Sequence, residues 1–191
     1  YVTGINLAGY VNLIEGEEEL SEIFQDFTGH GTGIASIISG NGETGICGVN
    51  PNAEVYSVKV LDGENKAPLS RIIQGIYWCI EHEMNIINMS FGTSVYSKAL
   101  EQAVMDAYEA GLLMIGAAGN ESSDVEYPAA FSEVMAVAAV NPEAEISEFS
   151  NTGEELDIAA PGEKIRVASF FDGNEVTHGT SIAVPHVTGA A

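Results

Sequence analysis

Three stretches of the sequence, Ile86–Ser90, Leu112–Ala118 and Val134–Val140, read as short strands that are apolar almost throughout. A strand with one wet face alternates polar and apolar residues, so continuous runs require cover on both faces. Between them lie helical patterns. Leu69, Ile72, Ile73, Ile76 and Ile80 mark one face of an amphipathic helix, and Ser97 is placed to cap another that runs to Ala110 and stops at Gly111. Earlier, Ile34, Ala35, Ile37 and Ile38 form a short buried helix headed by His30 and closed by a glycine C-cap at Gly40. Asn6–Ile14, Val55–Val60, Ile158–Pro161 and Ile165–Ser169 complete the strand-like pieces. Strand alternating with helix predicts an α/β fold in three layers, with a mostly parallel sheet flanked by helices. Ligands of such sheets sit beyond the carboxyl ends of the strands. His30, Ser90, Asn120 and Ser181 all fall at strand ends or helix starts.

At 191 residues, 46% of them hydrophobic, residues 1–191 suit a single domain with a substantial core. The net charge of -22, from 28 acids against 6 bases, excludes nucleic acid and anionic membrane surfaces as partners and suits basic peptides. No run of 18 apolar residues occurs, so no membrane span is expected. Cys47 and Cys79 lie in apolar surroundings and read as buried free thiols, without the companion histidines of a metal site.

The chemistry concentrates in Thr177–Ala191. A polar loop ends in Gly179-Thr180-Ser181, and small apolar residues follow at helical spacing. Ser181 would sit in the first helical turn, where free N–H groups and the dipole favour developing negative charge. Pro185 is tolerated on this reading because first-turn amides need no partner. Such a serine is a candidate nucleophile if a base is near, and otherwise an ordinary N-cap.

Four segments, Gly29-His30-Gly31-Thr32, Ile87–Gly92, Ala117-Ala118-Gly119-Asn120 and Gly179–His186, occur in an order and spacing that resemble the subtilisin-like serine peptidases (subtilases). Tyr127-Pro128-Ala129, Phe149–Gly153 and Ala160-Pro161-Gly162 agree. The likeness runs from about Asp26 to Ala191. It implies a subtilisin-like serine endopeptidase that acts on peptide or protein substrates through an acyl-enzyme on Ser181. His30 would be the general base, and Asn120 would donate to the oxyanion with the Ser181 N–H. Ser90, Phe91 and Gly92, with Ala117, Ala118 and Gly119, would line the pocket for the residue before the cleaved bond. Ser90–Gly92 and Asn65, Lys66 and Ala67 would pair with the substrate as added strands. The resemblance also places a cis peptide at Tyr127-Pro128, makes Asp26 a structural acid, and leaves His178 and His186 outside the chemistry, while His82, between Glu81 and Glu83, reads as a solvated helix end. No cofactor is required. Structural calcium at Asn41–Thr44 and a propeptide in the full-length precursor are compatible with it.

Two departures matter. The family's triad acid lies in an Asp-Ser/Thr-Gly motif that is missing here, and Val2-Thr3-Gly4-Ile5 resembles it with valine in place of the acid. Either the triad is broken, giving a catalytically dead binding module, or the chain is truncated at both ends and the acid lies upstream. A narrow precursor-processing peptidase is a third reading. Glu126 falls where relatives place the base of the specificity pocket. A carboxylate there predicts a preference for basic residues before the scissile bond, unless it turns to solvent.

Overall fold

The computed structural model describes residues 4–16, 26–169 and 173–191. Among these residues, eight strands and four helices follow one another as β1 (Leu7–Asn12), α1 (His30–Ser39), β2 (Val55–Lys59), α2 (Leu69–Glu81), β3 (Ile86–Met89), α3 (Lys98–Glu109), β4 (Leu113–Ala117), β5 (Val134–Val140), β6 (Leu156–Pro161), β7 (Ile165–Ser169), β8 (Gly173–Thr177) and α4 (Thr180–Ala190). β3, β4, β5 and β6 form a parallel sheet in that order, and β1 pairs in parallel with β2.

The apolar runs are covered on both sides. Met114 of β4 packs with Ile72, Ile76, Leu100 and Val104 of α2 and α3, while its neighbour Ile115 packs with Ala183 and Val184 of α4. Successive side chains leave opposite faces of a strand, so helices on both faces are what such a run demands. α1 joins the α4 side, where Ile34, Ile37 and Ile38 meet Val167 and Ile182. The three layers expected from the sequence are therefore present.

The sheet is divided. Facing edges of β2 and β3 have no strand partner among the described residues. Between them runs a cleft of 610 Å³, walled by Val55, Val58 and Val60 on one side and Ile86–Met89 on the other, with Ile76 and Cys79 below.

Several sequence expectations are corrected. The polar stretch before Ser181 is partly strand: β8 pairs antiparallel with β7, a hairpin held by backbone bonds that its mostly polar, exposed residues do not announce. Cys47 is exposed, because the turn that buries Ile46 points its successor outward; only Cys79 is buried, and burial pushes its thiol up to about 11. Gly40 does close α1, but with φ -57°, so a left-handed cap is not its reason. A methyl there would stand 2.6 Å from the Ser36 carbonyl and 2.7 Å from that of Ile46. Pro185 lies in the second turn of α4, so the first-turn account of its tolerance fails. Val2 and Thr3 lie outside the described residues. Gly4 bonds through its carbonyl to the Asn41 N–H, at the end of α1 opposite His30.

α1 is pinned to β7 by a buried hydroxyl. Ser36 Oγ donates to the Gly33 carbonyl at 2.7 Å and accepts the Ala168 N–H at 3.0 Å. Ser36→Ala leaves that amide without a partner, so stability should fall by about 1–3 kcal/mol. A urea midpoint checks this; an unchanged midpoint contradicts it.

Candidate active site

Every sequence-predicted catalytic group lies at the carboxyl edge of the parallel strands. His30 opens α1, in the turn made by Gly29 at φ 78°. The Asp26 carboxylate caps that helix. One oxygen accepts the Gly29 N–H at 2.9 Å and the Thr28 N–H at 3.2 Å; the other accepts the Thr32 N–H and hydroxyl, both at 2.8 Å. Burial pushes the Asp26 pKa up, but these bonds together hold it below the usual carboxylate value. Burial likewise holds His30 below its ordinary value, opposed only by the Asp26 charge. With its oxygens committed to three backbone N–H groups and the Thr32 hydroxyl, Asp26 steadies the loop, as the resemblance implied.

Ser181 is the second residue of α4. The N-cap is Gly179, which has no side chain to cap with, so Ser181 is not an ordinary capping serine. Gly179, at φ 140°, needs the freedom of glycine, and a methyl there would stand 3.1 Å from Ser181 Oγ and 3.8 Å from Asn120 Nδ2. Asn120 Oδ1 would stand 3.7 Å away, so the serine and asparagine side chains both border Gly179. Asn120 is fixed by its acceptor end. Its Oδ1 accepts the Thr180 N–H at 2.8 Å and the Thr180 hydroxyl at 3.1 Å, while that hydroxyl accepts the Gly119 N–H at 3.2 Å. Asn120 Nδ2 has no hydrogen-bond partner among the described residues and is available as a donor. The turn residue with positive φ is Gly119, at 112°, not Asn120.

Around this point the predicted binding segments divide. Glu126 stands between the two that would flank a substrate side chain. A methyl on Gly92 would meet its Oε2 at 2.5 Å, and one on Gly119 its Cγ at 3.1 Å. The Glu126 N–H bonds to the Ala118 carbonyl at 2.9 Å. Burial raises the Glu126 pKa, with a smaller push from Glu121. Ala117 and Ala118 turn their methyls into the core, so they can offer only backbone to a ligand. Ser90 is buried, with Phe91 beside it. Asn65–Ala67 sit in a tight turn. Asp62 takes up the N–H and carbonyl of Lys66 and the N–H of Asn65, leaving the Asn65 carbonyl and Ala67 for any pairing. Thr28 Oγ1 donates to Asn65 Oδ1 at 2.9 Å, tying this turn to the His30 loop.

The other histidines stand apart. His82 stacks on Trp78 at 3.9 Å, His178 faces Phe149 at 5.5 Å, and His186 Nδ1 lies 3.0 Å from the Ile182 carbonyl. Tyr127-Pro128 is cis. The Asn41 side chain serves its own turn by accepting the Glu43 N–H, and no group of three or more His, Cys, Asp or Glu suited to a metal ion occurs among the described residues. Two supporting residues escaped the sequence reading. Thr180 hides beside Ser181 and fixes Asn120. Asn151 takes the Glu121 and Ser123 N–H groups and donates to the Asp124 carbonyl, shaping the loop after Asn120. Only their type, buried polar residues in a motif, could have signalled them.

The subtilase family profile matches residues 6–191. Over 191 residues the chain is 44% identical to the thermostable alkaline protease of Halalkalibacterium halodurans, covering 98% of this chain and 51% of that protein. It is 43% identical to the minor extracellular protease Epr of Bacillus subtilis over 85% of this chain and 26% of that one. A cold-adapted subtilisin-like serine proteinase of known structure superposes with a TM-score of 0.85 at 30% identity, over 98% of this chain and 70% of that one. The chain therefore spans about half, or less, of the length of the two curated relatives. With the fold, the order of its motifs and these likenesses in agreement, the chain belongs to the subtilase family.

Proposed function

We propose that the chain carries the nucleophile, base and oxyanion donors of a serine endopeptidase. The observation that carries this reading is that Ser181 Oγ and the free Asn120 amide both lie against Gly179, at the start of α4. Ser181 Oγ attacks the scissile carbonyl and passes its proton to His30, which then protonates the leaving amine. The Asn120 amide and the Ser181 N–H hold the oxyanion. Water releases the acyl group by the same steps in reverse. Loss of one such donor in subtilisin costs about 10²–10³ in turnover, and the same is expected of Asn120→Ala.

His30 requires an acid to orient its ring and stabilise its charged form, and Asp26 is committed elsewhere. We place that acid on a further strand, from sequence outside residues 1–191, lying in the cleft between β2 and β3. Both walls there are edges of parallel-paired strands with no further strand partner among the described residues. The cleft continues into a smaller one of 210 Å³ lined by His30, Asp26, Asn88 and Ser90. A strand parallel to its neighbours would deliver its carboxyl end at His30. Gly4 at the far end of α1 speaks against Val2-Thr3-Gly4 as the degenerate acid motif. A fluorophosphonate tests both points. A chain extended upstream should give a stoichiometric adduct that Ser181→Ala abolishes, while residues 1–191 alone should react at least about a hundredfold more slowly. Equal reaction of both chains contradicts the added strand. No adduct on the folded, extended chain favours the binding module instead.

Glu126 and the acidic surface favour lysine or arginine before the cleaved bond. A charge-assisted contact of about 1.5–3 kcal/mol corresponds to an Arg-over-Phe preference of about 10–150-fold in kcat/KM. The preference needs the ionised carboxylate. Because the Glu126 pKa is raised, it should disappear as pH falls through a value above the usual glutamate range. Taking the ratio for two matched peptides cancels the titration of His30. A constant ratio, or a strong Phe preference at neutral pH, contradicts the assignment. A single-precursor processing enzyme would show the same basic preference with a narrow cleavage profile.

A further inference from the structure

The carbonyl of the nucleophile itself poses a problem that the fold solves in an unusual way. In a helix, the Ser181 carbonyl would accept the N–H four residues on, but that residue is Pro185, which has none. The bond is supplied from outside the helix. Ser90, just past β3, donates its hydroxyl to the Ser181 carbonyl at 2.8 Å. The direction of that proton is set by Asn88, whose Nδ2 donates to Ser90 Oγ at 2.9 Å, so the hydroxyl's only proton is left for Ser181. Asn88 is fixed in turn by Thr188, two turns along α4, whose hydroxyl lies 2.9 Å from Asn88 Oδ1 and 3.2 Å from the Val184 carbonyl. The relay is a closed clamp from α4 to β3 and back to α4.

We infer that Ser90, aligned by Asn88 and Thr188, is a positioning residue for the nucleophile, replacing the helical hydrogen bond that Pro185 removes. The clamp joins the turn carrying Ser181 to the segment Ser90–Gly92 that is proposed to bind substrate, so one hydroxyl keeps nucleophile and substrate in register. Its effect falls on turnover rather than affinity, because the Ser90 hydroxyl is spent on the Ser181 carbonyl and not on a ligand.

The inference rests on the peptidase reading for its kinetic part and not for its structural part. In the full-length active protein, Ser90→Ala should lower kcat about tenfold with KM changed less than about twofold, and Ser90→Thr should restore most of it. Pro185→Ala returns an N–H to position 185, so the penalty of Ser90→Ala should shrink at least about threefold in that background. The same cycle, read as urea midpoints in chains that also carry Ser181→Ala, needs no activity. There the destabilisation by Ser90→Ala should be smaller in the Pro185→Ala background than with Pro185 in place. An additive cycle in both readouts, or an unaltered kcat in Ser90→Ala, overturns the clamp. Lack of fluorophosphonate reaction in the parental protein, with the stability coupling intact, would instead overturn the peptidase reading alone.

Discussion

The site depends on how tightly the first turn of α4 is bound to the ends of three strands. The Gly179 N–H bonds to the carbonyl of Gly162, just past β6, at 2.8 Å. Thr180 is locked to Gly119 and Asn120 past β4, and the Ser181 carbonyl is held by Ser90 past β3. The Gly179 and Thr180 N–H groups are ones that a helix start leaves free, and the Ser181 carbonyl is left free by Pro185, so the shortage of partners inside the helix is also what fastens the turn. Gly162 shows how close the approach is: a methyl there would stand 2.8 Å from the Gly179 carbonyl. A serine held so firmly is preorganised, and preorganisation is the largest part of what an oxyanion site contributes.

Much of this was legible in the sequence, for identifiable reasons. Continuous apolar strands implied the covered parallel sheet, and β5 matches its expected range of Val134–Val140. Ser97 caps α3 through a bond from the Leu100 N–H, as its position implied. Signals failed where order comes from backbone pairing or from three-dimensional contact. β8 is exposed and polar, so its pairing left no pattern. Cys47 sits in an apolar neighbourhood of sequence but on the outer side of a turn. Pro185 illustrates a third kind of failure. Its cost to the Ser181 carbonyl follows from sequence spacing, but its remedy involves Ser90, 91 residues away.

Electrostatics separates structural from chemical acids. Asp26 is half-buried, yet its pKa lies low because four donors converge on it, so it stays charged and keeps the α1 cap formed down to acidic pH. Its contribution is present above the usual aspartate pKa and is lost as pH falls through the lowered folded value. Glu126 has no such donors among the described residues, and its pKa moves the other way. The remaining acids among the described residues mostly face solvent, and a net charge of -22 repels acidic chains and draws basic ones.

The central claim is that Ser181 accepts the acyl group under the control of Asn120. It is tested most directly by quenching the upstream-extended protein with acid during turnover of an activated ester and locating the acyl group by peptide mass spectrometry. The account predicts the label on the peptide containing Ser181, formed about 10²–10³ more slowly in Asn120→Ala. Label on another residue, or an unaltered rate in Asn120→Ala, would contradict it.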